Sequence, residues 1–199
     1  MKLVLASGNA GKLKELQAML ADLPLQIVPQ RELGVDDVPE TGLTFVENAL
    51  IKARHACAVT GLPALADDSG LIVDALDGAP GLYSARYAGS PTDDAANNAK
   101  LLDALRGVPA ERRSARFYAV IVLLRHANDP QPLICEGSWE GRIIDELRGS
   151  NGFGYNPVFL DEELGLTAAQ MEPAQKNGRS HRAKALQLLL QRISQLAFD

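Results

Sequence analysis

Positive charge is scarce in this chain. Its 199 residues hold 20 Lys and Arg against 25 Asp and Glu, a formal net charge of −5. A broad nucleic-acid surface needs clustered, excess Lys and Arg, so no nucleic-acid partner is expected, although one small basic pocket for a phosphorylated ligand is still allowed. Cysteine is scarcer still. Cys57 and Cys135 are the only two, they lack metal-ligand spacing, and buried free thiols of a reducing cytosol are expected. Long apolar runs are missing as well. None approaches the ~18 residues of a membrane span, and no apolar signal core follows a basic start. The expectation is a cytoplasmic protein without a membrane partner. The last absence is a phosphate motif. Residues 3–16 read LVLASGNAGKLKEL, a strand-like run, two glycines, a lysine and a helical pattern. A P-loop keeps four residues between its glycines and places Ser or Thr after the lysine. Here Asn9 and Ala10 alone separate Gly8 from Gly11, and Leu13 follows Lys12.

What is present suits a globular α/β chain. The hydrophobic fraction of 46% is enough for a sizeable core, and 199 residues suit one domain or one domain with a small lobe. Residues 3–6 read as a buried strand. Leu13, Leu16, Leu20 and Leu23 share one face of a helix over residues 12–23, which Pro24 ends. Residues 26–29 read as a second strand. Thr44 and Glu47 form a capping box, predicting a helix over 45–59 that stops at Gly61. Residues 64–66 and 71–76 read as strands flanking a DDSG turn. Thr92 is expected to cap an Ala-rich helix ending near Gly107. Residues 115–125 form a strong strand, and 132–138 and 142–145 suggest two more around a turn at Gly141. The stretch 77–91, with Tyr83, Arg86 and Tyr87, reads as an ordered loop. Residues 157–160 are short and apolar. Ser180 opens a final helix with Leu186, Leu189, Leu190 and Ile193 on its apolar stripe. Interleaved helices and strands, with a run of consecutive strands in the middle, favour a mixed sheet.

Several segments carry candidate chemistry. A glycine loop opening a helix offers backbone N–H groups to an anion, and Lys12 adds a point charge; an ordinary strand-to-helix turn with a solvated lysine is the competing reading. In ALADDSG, 64–70, side chains alternate, so Asp67 and Asp68 point in different directions. One can face a pocket, holding Mg²⁺ or activating water, while the other is structural; an Asp-rich turn capping local N–H groups is the alternative. Glu40 and Lys52 taken alone read as surface charges. In NGFGYNP, 151–157, Phe153 and Tyr155 flank a glycine and are placed to stack on a flat heterocycle, with Asn156 reading its edge; a β-turn with one buried ring competes. Arg179, His181 and Arg182 crowd the start of the last helix, where the dipole prefers acids. A bound anion or keto oxygen would account for them, as would a solvated basic cap.

LASGNAGKLKEL, ETGLTFVENALIKA, ALADDSGLIVDALDGAPGLYSARYAG, GSNGFGYNPVF and the stretch 176–182 fall in this order and cover nearly the whole chain. Together they resemble the inosine triphosphate pyrophosphatase family, the Ham1-like non-canonical purine NTP pyrophosphatases, in its bacterial form. The resemblance implies a single ITPase-like domain over 1–199. Its fold would be an elongated central mixed β-sheet flanked by helices, with two lobes and the active site in the cleft between them. It also implies a homodimer and a Mg²⁺-dependent conversion of ITP, dITP and XTP to the monophosphate plus pyrophosphate. By position, Ser7, Gly8, Asn9, Ala10, Gly11 and Lys12 would hold the triphosphate. Glu40 and Asp68 would bind magnesium, with Asp68 also the proton acceptor. Ser69, Phe153, Gly154, Tyr155, Asn156, Lys176, His181 and Arg182 would complete the substrate site. The family commonly has Asp where this chain has Asn156. Two other readings stand beside this one: a non-catalytic nucleotide sensor on the same fold, which would not need both Glu40 and Asp68, and a hydrolase of other modified nucleotides, including pyrimidines.

Overall fold

The computed structural model describes residues 2–21 and 25–193. Seven strands form one mixed sheet flanked by helices: β1 (Lys2–Ala6), β2 (Gln26–Pro29), β3 (Ala64–Val73), β4 (Ser114–Leu124), β5 (Leu133–Ile143), β6 (Phe159–Asp161) and β7 (Leu166–Thr167). Their spatial order is β2-β1-β3-β4-β5-β6-β7. β1 pairs parallel with both β2 and β3, while β6 pairs antiparallel with both β5 and β7. The helices are α1 (Ala10–Leu20), α2 (Phe45–Thr60), α3 (Asp94–Ala104), α4 (Pro173–Arg179) and α5 (His181–Ile193). None of the described helices is long and apolar enough to cross a membrane.

The chain divides into two compact units. One comprises Met1–Asp68, Ala119–Gly137 and Arg182–Asp199; the other comprises Ser69–Tyr118 and Ser138–His181. Each has its own core. In the first, Leu3 and Leu5 of β1, Leu65 of β3 and Ile121 of β4 meet Leu16 and Leu20 of α1 and Leu186 and Leu189 of α5. Full burial of such a side chain contributes about 1.5–3 kcal/mol, so this apolar contact, more than helix propensity, holds α1 and α5 in place. In the second, Leu101 and Leu105 of α3 pack with Phe117, Trp139 and Phe159. The Phe117 and Phe159 rings lie 4.5 Å apart, and the Trp139 indole N–H donates to Asp161 at 2.8 Å. Both cysteines are buried free thiols, and burial pushes Cys57 up to about 11.

Local rules placed several elements correctly. β2 falls on the expected residues. In α2 the Thr44 hydroxyl accepts from the Glu47 N–H at 3.3 Å, while the Glu47 carboxylate accepts from the Leu43 N–H at 2.8 Å. Gly61, at φ 68°, closes that helix, as expected of a residue that must adopt a left-handed conformation. The 77–91 loop is ordered: it contains a 3-10 turn at Gly81–Arg86, and the Asn97 side chain of α3 bonds the backbone of Ala88 and Ala85.

Other expectations are corrected. α1 starts two residues earlier than its apolar pattern, because the Asn9 side chain caps it by accepting from the Lys12 N–H at 3.0 Å; its expected end, with Leu23 and Pro24, lies outside the described residues. DDSG is not a turn. It runs through the middle of β3, and only after Val73 does the chain enter a 3-10 turn at Asp74–Leu76. Asp93, not Thr92, caps α3, accepting from the Ala96 N–H at 3.0 Å. Gly141 makes no turn either. It sits inside β5, where a Cβ would fall 2.3 Å from the Leu160 carbonyl oxygen, so the glycine serves the close approach of β6. The short helix α4 and strand β7 had no clear periodicity to announce them.

The β4–β5 connection yields a stability test. Asp129, 1% exposed, accepts from the backbone N–H groups of Arg125 and Gln131 at 3.0 Å each, and bidentately from the Arg125 guanidinium at 2.9 and 2.8 Å. The Arg125 hydrogen bond holds its carboxyl well below the usual range. A depressed folded-state pKa stabilises above the unfolded value and loses that contribution as pH falls. Asp129→Asn is therefore expected to lower stability by about 1–3 kcal/mol at pH 7. The deficit should shrink once pH drops below about 4. Urea midpoints of both proteins across that range measure it.

Candidate active site

β1 ends at Ala6, and Ser7, Gly8 and Asn9 carry the chain into α1. The loop is thus shorter than expected, and Ala10, Gly11 and Lys12 belong to the first turn of the helix. Ser7 is buried, and its Oγ accepts from the Asn9 N–H at 3.3 Å. A Cβ on Gly8 would fall 2.5 Å from the Asp37 carboxylate. No acid occupies the first turn of α1, so no side-chain charge of its own answers the positive end of the helix dipole. That geometry suits an anion.

The two aspartates of β3 take different partners, as strand alternation requires. Asp67 is fully buried. Its Oδ2 meets the Lys12 ammonium at 2.9 Å, and its Oδ1 meets the Arg182 Nε at 3.2 Å. Burial alone would push its pKa up, but Arg182 and then Lys12 hold it well below the usual carboxylate range. Asp68 is buried as well, with its Oδ1 2.9 Å from the Lys52 ammonium. Lys52 also contacts Glu40 Oε1 at 2.8 Å and the Asp67 carbonyl at 2.9 Å. For Asp68, burial is the largest influence and raises its pKa; Lys52 and Lys12 pull it back, Glu40 raises it, and the net direction is upward. Lys52 stays protonated: burial opposes its charge, but Asp68 and Glu40 more than restore it. One ammonium therefore joins the two carboxylates expected to bind magnesium.

Among the described residues no group of three or more His, Cys, Asp or Glu side chains converges on a metal site. The Glu40–Asp68 pair nevertheless fits magnesium. It offers hard oxygen donors, already arranged around a cation, and Mg²⁺ commonly takes one or two carboxylates and completes its shell with water and phosphate oxygens. Lys52 was expected to be a surface charge. The signal that points inward is its phase on α2: it lies four residues after the buried Asn48 and three after the buried Ala49.

The remaining candidates lie in the second unit, Arg182 excepted. Ser69 is half-buried on β3. Gly154 is held at both ends by α3, its N–H donating to Asp94 at 2.7 Å and its carbonyl accepting from Asn98 at 2.9 Å. Between these anchors and Gly152 stands Phe153, half-buried, with the Lys176 ammonium 5.4 Å from its ring centroid. Asn156 is 4% exposed, and its Nδ2 has no hydrogen-bond partner among the described residues. It packs against Gly152, where a Cβ would fall 2.0 Å from that nitrogen and 3.3 Å from the Lys176 ammonium. His181 is buried and stacks on Phe117 with centroids 5.1 Å apart.

Two readings of these segments change. Tyr155 is not a second stacking ring. It is 3% exposed within the aromatic core, and its hydroxyl donates to the Ser84 carbonyl at 2.7 Å. The crowd of cations at the last helix also has a structural account. Arg179 ends α4, where a cation suits the dipole, and it pairs with Asp161 and Glu163. Arg182, 2% exposed, pairs with Asp67 and Glu15.

Residues 3–192 match the model of the Ham1 family, and the chain belongs to that family. Among proteins similar to it, the dITP/XTP pyrophosphatase of Xanthomonas oryzae pv. oryzae is 80% identical over 98% of both chains. That of Thioalkalivibrio sulfidiphilus is 60% identical over 97% of this chain and 98% of its own. A solved HAM1 protein from Coxiella burnetii superposes with a TM-score of 0.91 at 52% identity, covering 98% of this chain and all of that one. The Staphylococcus aureus Ham1 protein gives 0.87 at 39% identity, over 98% and 99% of the two chains.

The reassignment of Tyr155 can be tested without any substrate. Tyr155→Phe removes the bond to the buried Ser84 carbonyl and is expected to lower stability by about 1–3 kcal/mol. Thermal denaturation measures it. An unchanged melting temperature would mean that the hydroxyl is not committed to the core.

Proposed function

We propose that this Ham1-family chain is a magnesium-dependent nucleoside triphosphate pyrophosphohydrolase. It converts ITP, dITP and XTP to the monophosphate and pyrophosphate, removing deaminated purines from the nucleotide pool. The observation that carries the chemistry is the Asp68–Lys52–Glu40 constellation beside Lys12, with the Asp68 pKa raised. A carboxylate of raised pKa is a stronger base than an exposed one. The names of the relatives support the substrate class.

In this mechanism the β1–α1 loop and the first turn of α1 bind the triphosphate, and Lys12 meets its outer oxygens. Asp68 accepts a proton from the attacking water. The water oxygen bonds to the α-phosphorus, the bond from that phosphorus to the oxygen bridging to the β-phosphorus breaks, and pyrophosphate leaves with that oxygen. Glu40 and Asp68 would hold Mg²⁺, which when bound neutralises phosphate charge. Lys52 keeps the two carboxylates oriented. Most of the acceleration in such phosphoryl chemistry comes from positioning and charge stabilisation.

Base recognition is assigned to Phe153 and Asn156. Phe153 offers a ring for stacking. The Asn156 Nδ2 is a buried donor without a hydrogen-bond partner among the described residues, which suits the 6-oxo group of hypoxanthine or xanthine and not the 6-amino group of adenine. A mismatched buried polar group costs about 1–3 kcal/mol, enough for roughly 10–10²-fold discrimination. The family resemblance adds Arg182, which in this structure pairs with Asp67 and Glu15. We further propose that residues 1–199 act as one domain in a cytoplasmic homodimer without nucleic-acid or membrane partners. For this last set the family resemblance is the support.

Product analysis with ITP, dITP, XTP, ATP, GTP and modified pyrimidine triphosphates tests the reading. The expected products are monophosphate and pyrophosphate, formed with Mg²⁺ and mainly from the first three substrates. Asp68→Asn is expected to lower kcat by ~10²–10⁴-fold while still binding nucleotide. Orthophosphate as first product, or equal use of ATP and ITP, contradicts the proposal. Binding without turnover would favour a sensor, and preference for pyrimidines a different hydrolase.

A further inference from the structure

Asp67 enters none of the steps above, yet among the described residues it is the most completely enclosed acid of the first unit. Its two oxygens are divided between two cations, Oδ2 to Lys12 at 2.9 Å and Oδ1 to Arg182 at 3.2 Å. Arg182 turns its Nη1 to Glu15. Glu15 and Lys12 are three residues apart on α1, so they share one face of that helix. The four groups close a ring, Lys12 to Asp67 to Arg182 to Glu15 and back to α1, that ties the phosphate-loop helix to β3 and to the first turn of α5. Two positive charges balance two negative ones within it.

We propose that Asp67 is a positioning residue that acts through Lys12. It aims the Lys12 ammonium in advance, and Arg182 and Glu15 fix Asp67 in turn. The inference rests on the reading of Lys12 as a triphosphate ligand. An unrestrained lysine loses rotamer freedom when it grips a ligand, and a lysine already held by a buried carboxylate has lost most of it beforehand. An ammonium has three N–H donors, so one bond to Asp67 leaves others for phosphate oxygens. Arg182 draws on the same carboxylate, so Asp67 does not cancel the Lys12 charge toward an incoming polyanion. The ring also gives both Arg182 and Asp67, buried and charged, a reason to be retained beside the site.

The test is a double-mutant cycle read by competitive inhibition with inorganic tripolyphosphate, a probe that carries no base. Asp67→Asn is expected to weaken tripolyphosphate inhibition and raise KM by roughly 10–100-fold, with a smaller change in kcat. In a Lys12→Ala background the same substitution should change tripolyphosphate inhibition little, because the group it acts through is gone. Equal losses in both backgrounds would overturn the proposal, since a general structural defect does not depend on Lys12. If Asp67→Asn does not fold, Glu15→Gln decides through the same cycle: a loss of ~3-fold that vanishes in the Lys12→Ala background supports the ring, and an equal loss in both overturns it. The underlying reading has its own control. Tripolyphosphate that inhibits the wild type and loses affinity in Lys12→Ala upholds it; tripolyphosphate indifferent to Lys12 sinks both.

Discussion

Two adjacent carboxylates buried on one strand form the constraint on which the rest of the first unit depends. Burial removes Asp67 from water and leaves Asp68 only slightly exposed, so each carboxylate needs a cation, and two adjacent carboxylates facing the same way would repel each other. β-strand alternation resolves the conflict by sending them to opposite sides. Asp67 meets Lys12 and Arg182, and Asp68 meets Lys52. The loop helix α1, the capped helix α2 and the start of α5 each deliver one of those cations. Apolar packing of Leu16, Leu20, Leu186 and Leu189 against the sheet therefore does more than stabilise the fold. It fixes where the charges stand.

The same arrangement explains why the two aspartates differ in chemistry. Asp67, held by two cations, is locked in the ionised form and is a poor base. Asp68 is buried with one lysine that Glu40 shares, and the balance tips its pKa upward. A group whose folded-state pKa is raised disfavours folding as pH rises through that value, so Asp68 is a local cost above it. Such a cost is expected where a residue is kept for proton transfer, and it is offset by the core around it. Buried ion pairs are in general weak evidence for stability, and here their arrangement points to the chemistry instead.

Much of the fold was legible in short-range pattern. The strand β2, the Thr44–Glu47 box and the Gly61 stop obey local rules that need no knowledge of the rest of the chain. Failures came where a distant partner decides. DDSG has the composition of a turn, but Lys12, Lys52 and Arg182 neutralise it and let β3 run on. Gly141 resembles a turn glycine until β6 is placed against it. In the candidate site, the Ser7 to Lys12 loop and the Asp67–Asp68 pair were visible as motifs, whereas Glu40, taken alone, read as a surface charge and was paired with Asp68 only by the family resemblance. The inward role of Lys52 was hinted at only by its helical phase. The enclosure of Arg182 by Glu15 and Asp67 leaves no mark in the local sequence, because its partners lie over a hundred residues away. Tyr155 was left open between a stacking and a buried ring because a Gly-flanked aromatic looks the same whether its ring faces a ligand or a core.

The central claim is that one strand carries two neighbouring aspartates of opposite character, one locked as an anion and one poised as a base. Carbon-13 NMR of the side-chain carboxyls, titrated on the folded protein, tests it most directly. The account predicts that Asp68 titrates above the ordinary Asp value of about 3.9, while Asp67 shows no protonation at any pH where the protein remains folded. An Asp68 that titrates at or below the ordinary value, or an Asp67 that titrates alongside it, would contradict the account.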